Sequence, residues 1–74
     1  MIYITSTGIP INVQHITHLE KESRGEERWD LDVYMVSGMR LTMVYKESEA
    51  EKLMEEEFDS IKFAMEHEYG GYNG

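Results

Sequence analysis

Two neighbouring segments in which apolar and polar residues alternate constrain the fold of this chain more than any other feature. In residues 29–36, and again in residues 39–45, every second side chain is apolar, which is the period of a strand with one buried face. The apolar set comprises Trp29, Leu31, Val33 and Met35 in the first segment and Met39, Leu41, Met43 and Tyr45 in the second. A hairpin that joins the segments must place both sets on the same side of the sheet.

This requirement predicts the hairpin loop. A two-residue turn at Ser37 and Gly38 would set the apolar residues of one strand beside the polar residues of the other. A three-residue loop over residues 36–38 instead pairs Trp29 with Tyr45 and Leu31 with Met43. It also puts Gly38 where a type I turn followed by a bulge needs a positive φ.

A long amphipathic helix is predicted after the hairpin. Ser48 and Glu51 have the spacing of a capping box, in which each side chain satisfies a backbone donor at the helix start. Apolar residues then recur at spacings of three and four, and Gly70 and Gly71 are predicted to end the helix. The apolar stripe consists of Ala50, Leu53, Met54, Phe58, Ile61, Ala64 and Met65. Phe63 lies nearly opposite that stripe, so its side chain is predicted to be exposed.

Short strands are predicted in the first part of the chain. Residues 1–5 and 9–13 form two of them, and Pro10 favours an edge position for the second. Ile16 and Leu19 are three residues apart, which indicates a turn or bulge leading into a strand of about residues 17–22. Residues 21–28 are charged and contain glycine, so they are predicted to form a solvated loop.

These elements predict an α+β fold: an antiparallel β-meander of four to five strands with one C-terminal amphipathic helix packed on one face. Residues 1–69 are predicted to form a single compact domain, and residues 70–74 a flexible tail of glycine, tyrosine and asparagine. The chain has 74 residues and no cysteine, which excludes disulfides and thiolate metal sites. No segment approaches the roughly 20 apolar residues that span a membrane, and we expect a cytoplasmic protein without membrane contact.

The negative charge of the chain is concentrated in the predicted helix. The net charge is -8, and nine acidic residues and two lysines between Glu47 and Glu68 account for -7. Such a helix repels nucleic acid and is attracted to a basic surface of a larger protein. A solvated helix face that keeps the chain soluble is the alternative. If a partner binds, the candidate contact residues are Glu55, Glu56, Glu57, Asp59, Phe63 and Glu66.

Catalytic and metal-binding motifs are weak or absent. His15 and His18 are three residues apart, but their surroundings indicate strand or turn, and the sequence places no third ligand beside them. Asp30 and Asp32 share a strand face that is predicted to be solvated, where a carboxylate pair lacks the cleft that acid–base catalysis needs. We therefore expect no enzymatic activity, no cofactor and no metal.

Part of the sequence resembles the small FlbD-type proteins of flagellar and swarming motility. The similar positions cover roughly residues 5–51 and follow a layout of strand, turn, strand, a glycine-closed hairpin and a Lys-Glu-Ser-x-x-Glu helix start. They are Thr5, Gly8, Ile11, Asn12, Ile16, Leu19, Glu20, Ser37, Gly38 and residues 46–51. The resemblance implies a motility accessory protein. The sequence departs from the pattern in its longer charged loop before Trp29, its more acidic helix and its glycine–tyrosine tail.

The leading expectation is a small, non-enzymatic, acidic interaction protein. Its most concrete form is a phage-type inhibitor or regulator of a nucleic-acid-handling machine, whose carboxylates stand where phosphates would bind. A motility accessory of the FlbD type and a structural homodimer without ligand are the alternatives. Small chains without disulfides commonly gain stability by association, and we expect a homodimer. Its interface would include either Phe63 or an exposed edge of strand one or two.

Overall fold

The structure, a computed structural model, describes residues 1–70 and the side chains of residues 1–67. It contains five strands, one α-helix and a single-turn 3-10 helix over Val13–His15, which confirms the α+β class. The elements are β1 (Ile2–Ile4), β2 (Pro10–Asn12), β3 (Ile16–Ser23), β4 (Arg28–Met35), β5 (Arg40–Lys46) and α1 (Ala50–Gly70).

The strands form two antiparallel sheets rather than one continuous meander. β1 pairs with β2, and β3, β4 and β5 pair in that order. The 3-10 turn separates the sheets. Asn12 starts that turn, because its side-chain oxygen accepts a hydrogen bond of 3.1 Å from the amide of Gln14. The side chain of Val13, in this turn, is fully buried, so the 3-10 turn also anchors the chain to the core.

The predicted hairpin register is confirmed. Trp29 lies opposite Tyr45, and Leu31 lies opposite Met43. The amide of Gly38 donates a 2.9 Å hydrogen bond to the carbonyl of Met35, whose own amide donates to the carbonyl of Met39. Gly38 has a φ of +91°, as the bulge at the end of this turn requires.

Replacing Gly38 with valine is expected to lower the free energy of unfolding by about 1–2 kcal/mol, because a β-branched residue is strained at positive φ. A Cβ at this position would meet no atom within 4 Å, so the cost is backbone strain rather than a clash. Gly38→Asn is the control, since asparagine tolerates this backbone region. Urea denaturation should show a clearly smaller loss for the asparagine variant. A valine variant as stable as the wild type would contradict the expectation.

The predicted irregularity at the start of the third strand is also confirmed. The β3–β4 register shifts between Ile16, which lies opposite Met35, and His18, which lies opposite Tyr34. The hydroxyl of the intervening Thr17 donates a 3.0 Å hydrogen bond to the carbonyl of Tyr34. The bulge lets buried Ile16 and half-buried Leu19 both contact the core, although they are three residues apart.

The core lies between the inner face of the three-stranded sheet and the apolar stripe of α1. Leu31 and Val33 on β4 are fully buried, as are Met54 and Ile61 on α1. Burial of this apolar surface supplies the main favourable term in folding. The strands of the hairpin and the helix therefore stabilise one another.

The start of α1 differs in detail from the expectation. Among residues 1–67, Ser48 makes no side-chain hydrogen bond, so the predicted capping box is not formed. The chain instead turns at Glu47, which has a φ of +78° and accepts a 3.0 Å hydrogen bond from the amide of Ala50. At the other end, α1 is described as far as Gly70, one of the two glycines predicted to end it. Residues 71–74 lie outside the described part of the chain.

Candidate interaction surface

The outward face of α1 presents one aromatic ring among carboxylates. Phe63 is 60 % exposed, which confirms the predicted exposure of this side chain. Glu56, Asp59 and Glu66 are exposed as well, and their spacing of seven, four and three residues from Phe63 places them around it on the helix surface. The ring of His67 lies 3.8 Å from that of Phe63, between ring centroids.

The candidate acids divide into paired and unpaired carboxylates. Glu55 is half-buried and accepts a 2.8 Å charged hydrogen bond from the Nζ of Lys21 on β3. In the part of the chain that the structure describes, Glu56, Asp59 and Glu66 have no ion pair. These three carboxylates, with Phe63, form the surface that we call the acidic face.

Glu57 is not part of the acidic face, and its predicted position on the helix surface is wrong. Its side chain is only 6 % exposed and points toward the core side of α1. One carboxylate oxygen, Oε1, accepts hydrogen bonds from the amide of Ser6 at 2.8 Å and from the hydroxyl of Tyr45 at 3.2 Å. The other accepts a hydrogen bond from the hydroxyl of Tyr3. Glu57 therefore joins α1 to β1, to the loop that follows it and to β5.

The electrostatics of this cluster favour a structural role. Burial alone would raise the pKa of the Glu57 carboxyl, but hydrogen bonds from Ser6, Tyr3 and Tyr45 outweigh it and lower the pKa below its ordinary value. Burial, together with the hydrogen bond to Glu57 and its charge, raises the pKa of Tyr3 to about 12. The same causes raise the pKa of Tyr45. These shifts move the groups away from neutral pH, whereas acid–base catalysis needs pKa values close to it.

A groove lies between β1 and the flank of α1 and adjoins the acidic face. We call it the β1–α1 groove. Ile2, Tyr3 and Ile4 line one wall, and Asp59, Phe63 and His67 line the other. Ile2 and Ile4 are 58 % and 59 % exposed, while Tyr3, between them, points toward Glu57. Phe63 and the first strand, which the sequence offered as alternative contact surfaces, thus meet in one place.

The outer face of the three-stranded sheet differs from the solvated face predicted for Asp30 and Asp32. Both side chains are buried, with exposures of 3 % and 7 %. The oxygens of Asp30 lie 3.0 Å from the Nε of Arg24 and 3.4 Å from the Nε of Arg28. Asp32 accepts a 2.6 Å hydrogen bond from the hydroxyl of Thr42. Neighbouring side chains therefore cover and satisfy both carboxylates, although these lie on the opposite face of β4 from the core residues Leu31 and Val33.

The two candidate metal ligands lie in different elements. His15 ends the 3-10 turn, whereas the ring of His18, on β3, stacks on Tyr34 with a centroid distance of 4.3 Å. The Nε2 of His18 lies 3.4 Å from a carboxylate oxygen of Glu20. Among the described residues, no three histidine, aspartate or glutamate side chains converge in a way that could hold a metal ion.

Comparison of the sequence with protein-family models, with curated proteins and, through the structure, with solved structures gave no match in any of the three. The resemblance to FlbD-type motility proteins therefore stays a prediction. In residues 1–70, no helix is long and apolar enough to cross a membrane.

Proposed function

We propose that this protein is a non-enzymatic interaction protein that binds a basic surface of a larger partner through its acidic face. The observation that carries the proposal is the exposure of Phe63 among three exposed carboxylates that have no ion pair in the described structure. Charged groups that are already paired, such as Glu55, have less to gain from a cationic partner.

The physical properties of the acidic face suit this role. Its carboxylates attract a basic surface over about one Debye length and so raise the association rate. An aromatic side chain in the middle of such a face supplies the apolar contact that resists dissociation, as aromatic anchors do in protein interfaces. The most concrete form of the proposal is regulation of a nucleic-acid-handling protein, whose phosphate-binding surface the carboxylates would occupy.

Reversing the three charges together, as Glu56→Lys, Asp59→Lys and Glu66→Lys, is expected to weaken binding to a basic surface by at least about tenfold at low salt. Immobilised poly-lysine serves as the generic basic surface, and binding is measured by surface plasmon resonance over a salt series. Binding by the wild type should weaken as the salt concentration rises.

The matched control reverses three exposed acids elsewhere, as Glu26→Lys, Glu27→Lys and Glu49→Lys, so both variants have the same net charge. We expect the control to retain most of the wild-type binding. Equal losses in the two variants would mean that net charge alone attracts the polymer and would overturn the proposal of a defined face. Circular dichroism verifies that both variants remain folded.

A further inference from the structure

We propose that the open edge of β1 accepts an extended, basic segment of the partner as an additional strand, seated in the β1–α1 groove. This inference rests on the proposed function and specifies how the partner would be recognised. It commits to one occupant: a segment in which apolar residues alternate with lysine or arginine.

The hydrogen bonds of the β1–β2 pair show which backbone groups of β1 lie at its open edge. The carbonyl of Met1 accepts a bond from the amide of Val13, and the amide of Thr5 donates to the carbonyl of Ile9. In an antiparallel pair, hydrogen-bonded positions alternate along the strand, so the amide and carbonyl of Tyr3, between Met1 and Thr5, also point toward β2. Ile2 and Ile4 therefore turn their amides and carbonyls away from β2. Among residues 1–70, no strand pairs with β1 on that side.

The other strand edges are less suited to strand addition. On β2, Pro10 and Asn12 are the residues that face the outer edge, and Pro10 has no amide to donate, so this edge offers fewer donors to an added strand than β1 does. On β3, three consecutive charged residues, Glu20, Lys21 and Glu22, protect the edge in the usual way. β5 begins with Arg40 and ends with Lys46, which repel a basic segment.

The side chains beside the open edge determine the chemistry of the occupant. Exposed Ile2 and Ile4 offer apolar contacts to alternate residues of an added strand, and Phe63 extends that apolar surface across the groove. Asp59 lies on the opposite wall, and Glu56 lines the adjoining depression beside Ile4 and Leu53. Because neither carboxylate has an ion pair in the described structure, cationic side chains of the incoming segment would find partners there.

The same charges argue against a second copy of this chain as the occupant. The chain has a net charge of -8, and a two-fold arrangement about β1 would bring Glu56 and Asp59 of both copies toward one interface. The carboxylates of the two copies would repel each other, whereas the cationic side chains of a basic segment would be attracted to them.

Strand addition combines main-chain hydrogen bonds, which give affinity, with alternate side-chain contacts, which give specificity.

The test uses an acetylated and amidated nine-residue peptide of alternating lysine and valine. A control peptide of equal charge has proline in place of each valine, so it cannot donate hydrogen bonds at those positions. Isothermal titration calorimetry of the wild-type chain should show binding to the lysine–valine peptide that is at least about tenfold tighter than binding to the control. Equal binding of the two peptides would overturn strand addition.

Amide hydrogen exchange supplies the site-specific measurement. At saturating lysine–valine peptide, the amide of Ile4 in the wild type should exchange at least about tenfold more slowly, because it acquires a hydrogen bond. The amide of Tyr3 belongs to the existing β1–β2 pair and is the internal control, with little change expected. An unprotected Ile4 amide in the saturated complex would overturn the proposed mode of binding.

Two variants at Ile4 complete the test. Ile4→Pro removes the edge amide and leaves the Tyr3–Ile11 pair in place, so peptide affinity should fall by about tenfold or more. Ile4→Val keeps the amide and a smaller apolar side chain, so its peptide affinity should fall much less than that of the proline variant. Should the proline variant fail to fold, the exchange measurement on the wild type decides the question alone.

The outcomes separate this inference from the proposed function. Suppose that reversing Glu56, Asp59 and Glu66 abolishes peptide binding, but that the Ile4 amide of the wild type is not protected in its complex. That result would retain the acidic face and reject strand addition. Absence of binding to both the peptide and poly-lysine would reject both. Sedimentation of the unliganded chain identifies the competing occupant: a dimer that Ile4→Pro dissociates would assign the edge to a second copy and overturn the basic segment.

Discussion

Replacing Leu31 with alanine is expected to lower the free energy of unfolding by about 3–5 kcal/mol. Leu31 is fully buried in the central strand of the three-stranded sheet, opposite Met43 on β5 and Lys21 on β3. The loss combines the transfer free energy of the missing methyl groups with the cost of the cavity they leave. A domain of this length has a total stability of about 4–11 kcal/mol, so the variant should be close to unfolding.

Leu53→Ala is the matched control, since it removes the same atoms from a leucine of the helix that is 44 % exposed. Its expected cost is below about 1 kcal/mol. Urea denaturation monitored by circular dichroism gives both values. Equal losses for the two leucines would contradict the orientation of α1 on the sheet, because the structure places Leu53 in the depression that adjoins the β1–α1 groove and not in the core.

The central hairpin was predictable because one physical requirement determines it. Each strand has one apolar set, and a shift by one residue would expose a whole set to water. Val33 and Leu41 must therefore pair, which leaves a loop of three residues, 36–38. Gly38 is the residue type that the last position of this loop needs. The spacing of Ile16 and Leu19 located the bulge for the same reason.

The position of Glu57 could not be predicted from the pattern of apolar residues. By helix spacing Glu57 lies between Met54 and Ile61 on the buried side, which is a signal, but three consecutive glutamates indicate a solvated face. Its partners Tyr3 and Tyr45 are 54 and 12 residues away, so only the tertiary structure reveals that they satisfy the carboxylate. The burial of Asp30 was not predicted for a similar reason, since Arg24 and Arg28, which cover it, both lie in the segment predicted to be a solvated loop.

The candidate site was also only partly predictable. The exposure of Phe63 follows from its helical position, but the groove beside it depends on where β1 lies. Because the 3-10 turn separates β1 and β2 from the other strands, one edge of β1 is left open next to α1. The sequence indicated strands one and two as edges and placed Pro10 in the second, but it did not show that the first strand lies beside α1.

Replacing Glu57 with alanine is expected to lower the free energy of unfolding by about 2–4 kcal/mol, because the hydroxyls of Tyr3 and Tyr45 and the amide of Ser6 would lose their common acceptor. Glu56→Ala, at the neighbouring exposed position, is the control and should change stability by less than about 0.5 kcal/mol. Similar values for the two variants would mean that Glu57 is solvated and not held by these three donors.

The pH dependence of Glu57→Gln tests the charge of the cluster separately from its shape. Since hydrogen bonding lowers the pKa of Glu57 in the folded state, its carboxylate contributes stability above the ordinary pKa of about 4.3. That contribution is lost as the pH falls through the lower, folded-state pKa. The wild type should therefore exceed the glutamine variant in stability at pH 7, and urea denaturation should show the difference shrinking below about pH 4. A difference that stays constant down to pH 2.5 would show that the folded state does not favour the ionised form of Glu57.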